Sequence, residues 1–277
     1  MAMAYTFPDD SNHYLGLRNT HGLAALAHGI QAAYGFYLTN TAFKDRGYYT
    51  ITNRIRYGTN GKAESDDVVG TYRLGNLVST FPALSMLNHL WAYFDTDTYA
   101  SYVEKGYNPV RWAEYSVSAG LMFIVIAQMS GITDIKLLVT MGIANAGLQA
   151  LGYTIERDVG EKHYDSAMRQ EIPGFLIFIG LWSALFTSFF SALGKASHDV
   201  PDMVYAIIII LFVLMAVFGV LSVMHIRKVK SRDWKFDRVE RYYLYLSFIS
   251  KSLLTNMTLF GVLGRDSPDK EEEEAAK

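Results

Sequence analysis

The chain has 277 residues, 51% of them apolar and 19% charged, with a formal net charge of −2. A mean hydropathy of +0.11 is too high for an ordinary water-soluble domain. The near-neutral charge offers no basic field for a phosphate backbone, so nucleic acid is not an expected partner, and zero cysteines exclude disulfides, thiolate metal sites and cysteine nucleophiles.

Residues 1–10 lack a basic segment followed by a short apolar stretch, so no cleavable signal peptide is expected. A membrane crossing needs roughly 20 residues with few charges. Seven stretches meet that need, at 19–38, 74–94, 109–130, 133–153, 172–193, 201–226 and 242–264. The first and third are wetter, holding His28, Gln31, Glu114 and Gln128. Polar residues inside a span face the bundle interior, which predicts a polar internal cavity.

Short connections such as 131–132 make consecutive spans antiparallel. The connection 39–73 is long. In it Tyr48, Tyr49, Thr50, Ile51 and Thr52 alternate, followed by Arg54, Ile55, Arg56 and Tyr57, with Gly58, Asn60 and Gly61 as turn formers. This pattern predicts a small β-hairpin outside the membrane. The run Glu271 to Glu274 predicts a disordered acidic tail over 265–277. The expected organisation is an all-α membrane domain over 1–264, built as a seven-helix bundle with the hairpin in the loop 39–73, followed by that tail.

Seven spans put the two ends on opposite faces, and Lys and Arg mark the cytoplasmic one. Arg227, Lys228, Lys230, Arg232, Lys235, Arg238 and Arg241 crowd into the sixth loop. The amino terminus is therefore expected in the cytoplasm and the acidic tail outside, the reverse of most seven-helix receptors and pumps.

Span seven carries one charge, Lys251. At ~1.5 Å per residue it lies ~15 Å from Arg241 and ~21 Å from Arg265, near mid-bilayer. An ionised lysine there costs about 2.5 to 3.5 kcal/mol on insertion scales. Two arrangements relieve that cost: an ion pair with a buried carboxylate, or conversion of the amine into an imine with a carbonyl ligand. Span three offers Glu114, ~8 Å inside its inner end. The backward lean of helical side chains brings Lys251 toward that depth.

His28, His89 and Ser85 occupy the same inner half, with Ser247 one turn before Lys251 and Arg111 one turn before Glu114. Together they are expected to form a hydrated cluster beside the lysine nitrogen, with the histidines as proton takers. No paired intramembrane carboxylates, Gly-rich phosphate loop, histidine metal spacing or nucleophile–base constellation is found, so neither a metal site nor an enzyme is expected. His13, His163, His198 and His225 fall near ends or in loops and receive no role.

A seven-span chain with a lone central lysine in its last span, here between Ser247, Phe248, Ile249, Ser250 and Ser252, resembles the retinal-binding rhodopsins. The run Arg111, Trp112, Ala113, Glu114, Tyr115, Ser116, Val117, Ser118 is similar to the corresponding segment of heliorhodopsins. So are His28 with Gln31, Ser85 with His89, and the long first loop; the resemblance covers all seven spans. It implies a rhodopsin-like seven-transmembrane bundle in the lipid bilayer, with all-trans retinal as a protonated Schiff base, the amino terminus inside, and a homodimer. Spans four and five with the hairpin loop are then the dimer surfaces.

On that resemblance Lys251 is the Schiff base lysine and Glu114 its counterion. Ser118, Met122, Asn145, Trp182 and Phe218 line or border the retinal, and His28 and His89 with Ser85 belong to the inner polar cluster. Proton-pumping microbial rhodopsins usually carry an aspartate one turn before the lysine and another carboxylate three turns beyond the counterion; this chain has Ser247 and Val125 there. The resemblance thus implies a light sensor that changes shape and signals, to an unidentified cytoplasmic partner through the basic sixth loop. The alternative is a light-gated proton conductor or transporter, since some relatives conduct protons.

Overall fold

The computed structural model describes residues 11–53, 67–196, 200 and 202–264. In chain order the elements are α1 (Ser11–Asn40), β1 (Tyr48–Asn53), β2 (Asp67–Arg73), α2 (Leu74–Phe94), α3 (Thr96–Lys105), α4 (Pro109–Met129), α5 (Ile135–Gly160), α6 (Tyr164–Leu193), α7 (Asp202–Lys230) and α8 (Phe236–Asn256). A π-helical stretch, Met257–Leu263, continues α8.

Helix starts follow local chemistry. Asn108 caps α4 by accepting the Arg111 N–H at 3.1 Å, with Pro109 in the first turn where its missing N–H costs nothing. Asp134 caps α5 by accepting the N–H groups of Lys136 and Leu137 at 3.0 Å each. A short helix, α3, fills the connection between the second and third apolar stretches. Asp95 accepts the Thr98 N–H at its start, Gly106 ends it in the left-handed region at φ 81°, and its inner face buries Tyr99, Ala100 and Val103.

Helices α4 to α7, and α8 with its π extension, are long and apolar enough to cross a membrane. Helices α1 and α2 are long as well, at 30 and 21 residues, but His21, His28, Gln31, Asn88 and His89 make them wetter. Several helices overrun the apolar stretches at one end of the bundle: α5 runs on to Gly160, α6 begins at Tyr164, α7 reaches Lys230 and α8 begins at Phe236. Beyond the hydrocarbon, water and capping side chains can satisfy the last backbone groups, so a helix need not stop where its apolar stretch does.

The two strands pair antiparallel, Tyr48 with Arg73 through Asn53 with Asp67, with an irregularity between Ile51 and Thr52. The expected hairpin is present, though its second strand comes later in the chain than 54–57. Arg54 to Tyr57, Gly58, Asn60 and Gly61 lie outside the described residues, as does the tail 265–277. At its free edge the Thr52 N–H donates to the Thr133 carbonyl at 2.9 Å, which ties the hairpin to the corner between α4 and α5.

Side-chain burial divides the bundle into two unlike halves. Toward the hairpin end, a continuous apolar core joins Phe81, Phe123, Val125, Ile126, Leu185, Ile207, Ile208, Leu211 and Leu259. Toward the other end a smaller cluster of Tyr99, Trp112, Tyr115, Val239 and Tyr243 is interleaved with buried polar side chains. Close helix contact needs small residues: a methyl group on Gly35 of α1 would collide with the Ser79 hydroxyl of α2.

Candidate functional site

Lys251 sits on α8 with 3% of its surface exposed. Its ammonium donates to both oxygens of Glu114 on α4, at 2.7 and 2.9 Å, and to the Ser85 hydroxyl on α2 at 2.6 Å. Ser85 passes the chain on by donating to Glu114 Oε1 at 2.9 Å. The Tyr115 ring lies 5.0 Å from the lysine nitrogen. An uncompensated charge in such a place would cost several kcal/mol, so the carboxylate and hydroxyl are what make the buried ammonium tolerable.

Beside this pair lie the histidines. His28 is fully buried and its Nδ1 is 3.1 Å from Gln31 Oε1, while Gln31 Nε2 donates to Ser252 at 2.7 Å. An amide oxygen only accepts, so His28 carries its proton on Nδ1 and, when neutral, turns a bare lone pair outward on Nε2. That nitrogen has no partner among the described residues. The His89 ring stacks on His28 with centroids 5.6 Å apart, and its Nδ1 lies 2.8 Å from Nδ1 of a third histidine, His21.

A cavity opens from Lys251 between α4, α5, α6, α7 and α8. Its wall includes Ser118, Met122, Asn145, Phe218, Ser247 and Ser250, with aromatic faces from Trp112, Tyr115, Phe175 and Phe178. Glycines keep it open, since a methyl group on Gly152 would collide with the Trp112 ring. Asn145 is spent on the Ala119 carbonyl at 2.7 Å, whereas the buried Ser118 hydroxyl has no partner among the described residues. Trp182 is buried outside the wall. It packs on Phe178, which does line the cavity, at 6.2 Å between ring centroids.

Arg111 does not join the lysine cluster as expected. Its guanidinium is clasped by Glu156 of α5 and Glu240 of α8, and all three side chains are almost fully buried. One turn of α4 separates Arg111 from Glu114, but the two carboxylates draw the arginine toward α5 and α8. Asn108 completes the clasp, donating its backbone N–H to Glu156 and its amide to Glu240, each at 2.7 Å. Tyr99 on α3, outside the spans, donates to Glu240 at 3.4 Å; burial and the Glu240 charge push its hydroxyl well above the ordinary value, so it remains a donor.

A heliorhodopsin family profile matches residues 17–263. The chain belongs to the heliorhodopsin family. It is accordingly an integral membrane protein of the retinal-binding rhodopsins. Among solved structures, the fold is similar to the transmembrane domain and linker region of the Salpingoeca rosetta rhodopsin phosphodiesterase, with a TM-score of 0.61 and 12% identity over 98% of this chain and 81% of that one. At that identity the likeness speaks for the fold alone. No curated protein matches the sequence.

The residues of this heliorhodopsin fit retinal. A primary amine opens onto an apolar, aromatic cavity, an acid stands against that amine, and a buried hydroxyl at Ser118 is left without a partner among the described residues. Three groups at this end of the bundle are not singled out by the sequence. His21 shares a face with His28 two turns later, a spacing that signals a common neighbour, but it stands near the start of its span. Glu156 and Glu240 fall beyond the apolar stretches 133–153 and 242–264, and so resemble solvated helix ends. Glu171, 7% exposed on the cavity wall and accepting from Ser222 at 2.5 Å, follows the charged start of α6.

Proposed function

We propose that this chain is a light-absorbing photoreceptor in which Lys251 holds all-trans retinal as an imine and Glu114 is its single counterion. The observation that carries the reading is a buried amine, gripped by one carboxylate, at the wall of an apolar cavity. Bound retinal supplies the visible absorption and, on isomerisation, the change of shape. The chain supplies the rest. Glu114 holds negative charge against the nitrogen of Lys251, and Ser85 keeps Oε1 oriented through its hydrogen bond. Ser118, Met122, Asn145, Phe218 and Ser247 serve as chromophore neighbours, with Trp182 bordering through Phe178.

A proton that leaves the site has its acceptors on one side: the bare Nε2 of His28 and the ring of His89. On the hairpin side Phe123, Val125, Ile126, Leu185 and Leu259 form an apolar core whose buried polar neighbours, Ser79, Gln128, Thr255 and Thr258, are neither acids nor histidines, which supports signalling over ion transport because a vectorial relay needs titratable groups on both sides of the site. Ser247 and Val125 stand where pumps carry acids.

In this reading α1 and α2 cross the membrane with the five more apolar helices, giving seven crossings over 1–264. The amino terminus is cytoplasmic, the acidic tail 265–277 is extracellular, and two copies pair through α5, α6 and the hairpin loop. The basic corner from Arg227 to Arg241 is the surface for a cytoplasmic signalling partner. Protein purified with all-trans retinal is expected to show a visible band, and Lys251→Ala to show none. A colourless parent protein would exclude the proposal.

A further inference from the structure

The three buried histidines beside the lysine site are not equivalent. His28 is anchored to Gln31 and has His89 stacked on it, but His21 lies about two turns, or ~10 Å, nearer the amino-terminal end of α1. It meets His89 through the two Nδ1 atoms, 2.8 Å apart. Between two imidazole nitrogens at that distance sits one proton: one Nδ1 carries it and the other accepts with its lone pair. His21 is 3% exposed, its Nε2 has no partner among the described residues, and its edge meets the Tyr99 ring at 4.7 Å.

Packing alone does not call for this ring. An apolar side chain would fill the place without desolvating two polar nitrogens. The charged and titratable groups around it are His89 on α2, Tyr99 on α3, Arg111 on α4 and, past Tyr99, Glu240 on α8. The Arg111 guanidinium, whose charge opposes a cation on His21, is offset by the two carboxylates that clasp it.

We infer that His21 is the inner member of a two-histidine proton relay, receiving through His89 the proton that the lysine site gives up. The step balances within the two rings. A proton arrives on Nε2 of His89, the Nδ1 proton of His89 passes to Nδ1 of His21, His89 ends neutral with its proton on Nε2, and His21 ends as the cation with protons on both nitrogens. The inference rests on the reading of Lys251 as the chromophore lysine, since light acting there supplies the proton.

Two measurements test it. In the retinal-free protein, nitrogen NMR of labelled histidines should show a nitrogen–nitrogen coupling across the hydrogen bond between His21 and His89, lost in His21→Asn; imidazoles with no coupling overturn the relay. In the retinal-bound protein, light-minus-dark infrared spectra should show an imidazolium signal that is lost in both His21→Asn and His21→Phe while the visible band stays. A signal unchanged in both variants, or a parent protein with a visible band and no imidazolium signal, overturns the relay and leaves the photoreceptor standing. A parent with no visible band contradicts the photoreceptor reading itself, and the NMR coupling still decides whether the two rings share a proton.

Discussion

Lys251 has little freedom: its three hydrogen bonds all end on Glu114 and Ser85, and the carboxylate is the only negative charge among its hydrogen-bond partners in the described residues. Removing that charge while keeping the shape leaves a buried cation without compensation, a loss with no cheap remedy inside a membrane. Glu114→Gln is therefore expected to move the visible band to longer wavelength, because the nearby charge stabilises the ground state of a cationic chromophore more than its excited state. The band should also become sensitive to added chloride, a small anion able to take the vacated place. Absorption spectra across a halide series check both, and an unshifted, salt-insensitive band would show that Glu114 is not the counterion. Lys251 and Glu114 were legible in the sequence because a charge inside an apolar run is an anomaly that demands a partner. His21 was not, because a histidine near a helix start has water as an ordinary explanation.

Between elements, the clasp of Arg111, Glu156 and Glu240 joins α4, α5 and α8 at the end where the helices overrun the membrane. Such a group is strongly destabilising to break by halves, since the remaining charges stay buried. Arg111→Met is expected to cost about 3–5 kcal/mol, read as a lower thermal midpoint in detergent. The combined replacement Arg111→Met, Glu156→Leu, Glu240→Leu should recover most of the loss. A single variant as stable as the parent would mean the three side chains are solvated. Most long helices were legible from hydropathy, yet their ends around this clasp were not. The apolar run stops where lipid stops, whereas the helix continues into the interface. The same limit hid α3, whose helical signals are an Asp95 cap, a Gly106 stop and one narrow apolar face in place of a long hydrophobic run. The hairpin was visible from alternation near Tyr48, but its partner strand, Asp67–Arg73, is exposed along most of its length and carries no comparable pattern.

Across the whole molecule, the buried charged side chains and histidines gather in one half, whereas the buried polar groups of the other, among them Ser79, Gln128, Thr255 and Thr258, are uncharged and set in an apolar core. That asymmetry predicts a proton that leaves the site toward the amino-terminal side and comes back the same way. Voltage-clamp recording under continuous light should then show no sustained current; a steady photocurrent would require a path through the core around Phe123, Val125 and Leu185 and would favour the conductor reading. Everything else in the account follows from a chromophore joined to one particular nitrogen. The direct test is to load the protein with all-trans retinal, reduce the imine with borohydride, digest, and locate the added mass among the peptides. The account predicts a retinyl adduct on Lys251; an adduct on another lysine, or none in a protein that had absorbed visible light, would contradict it.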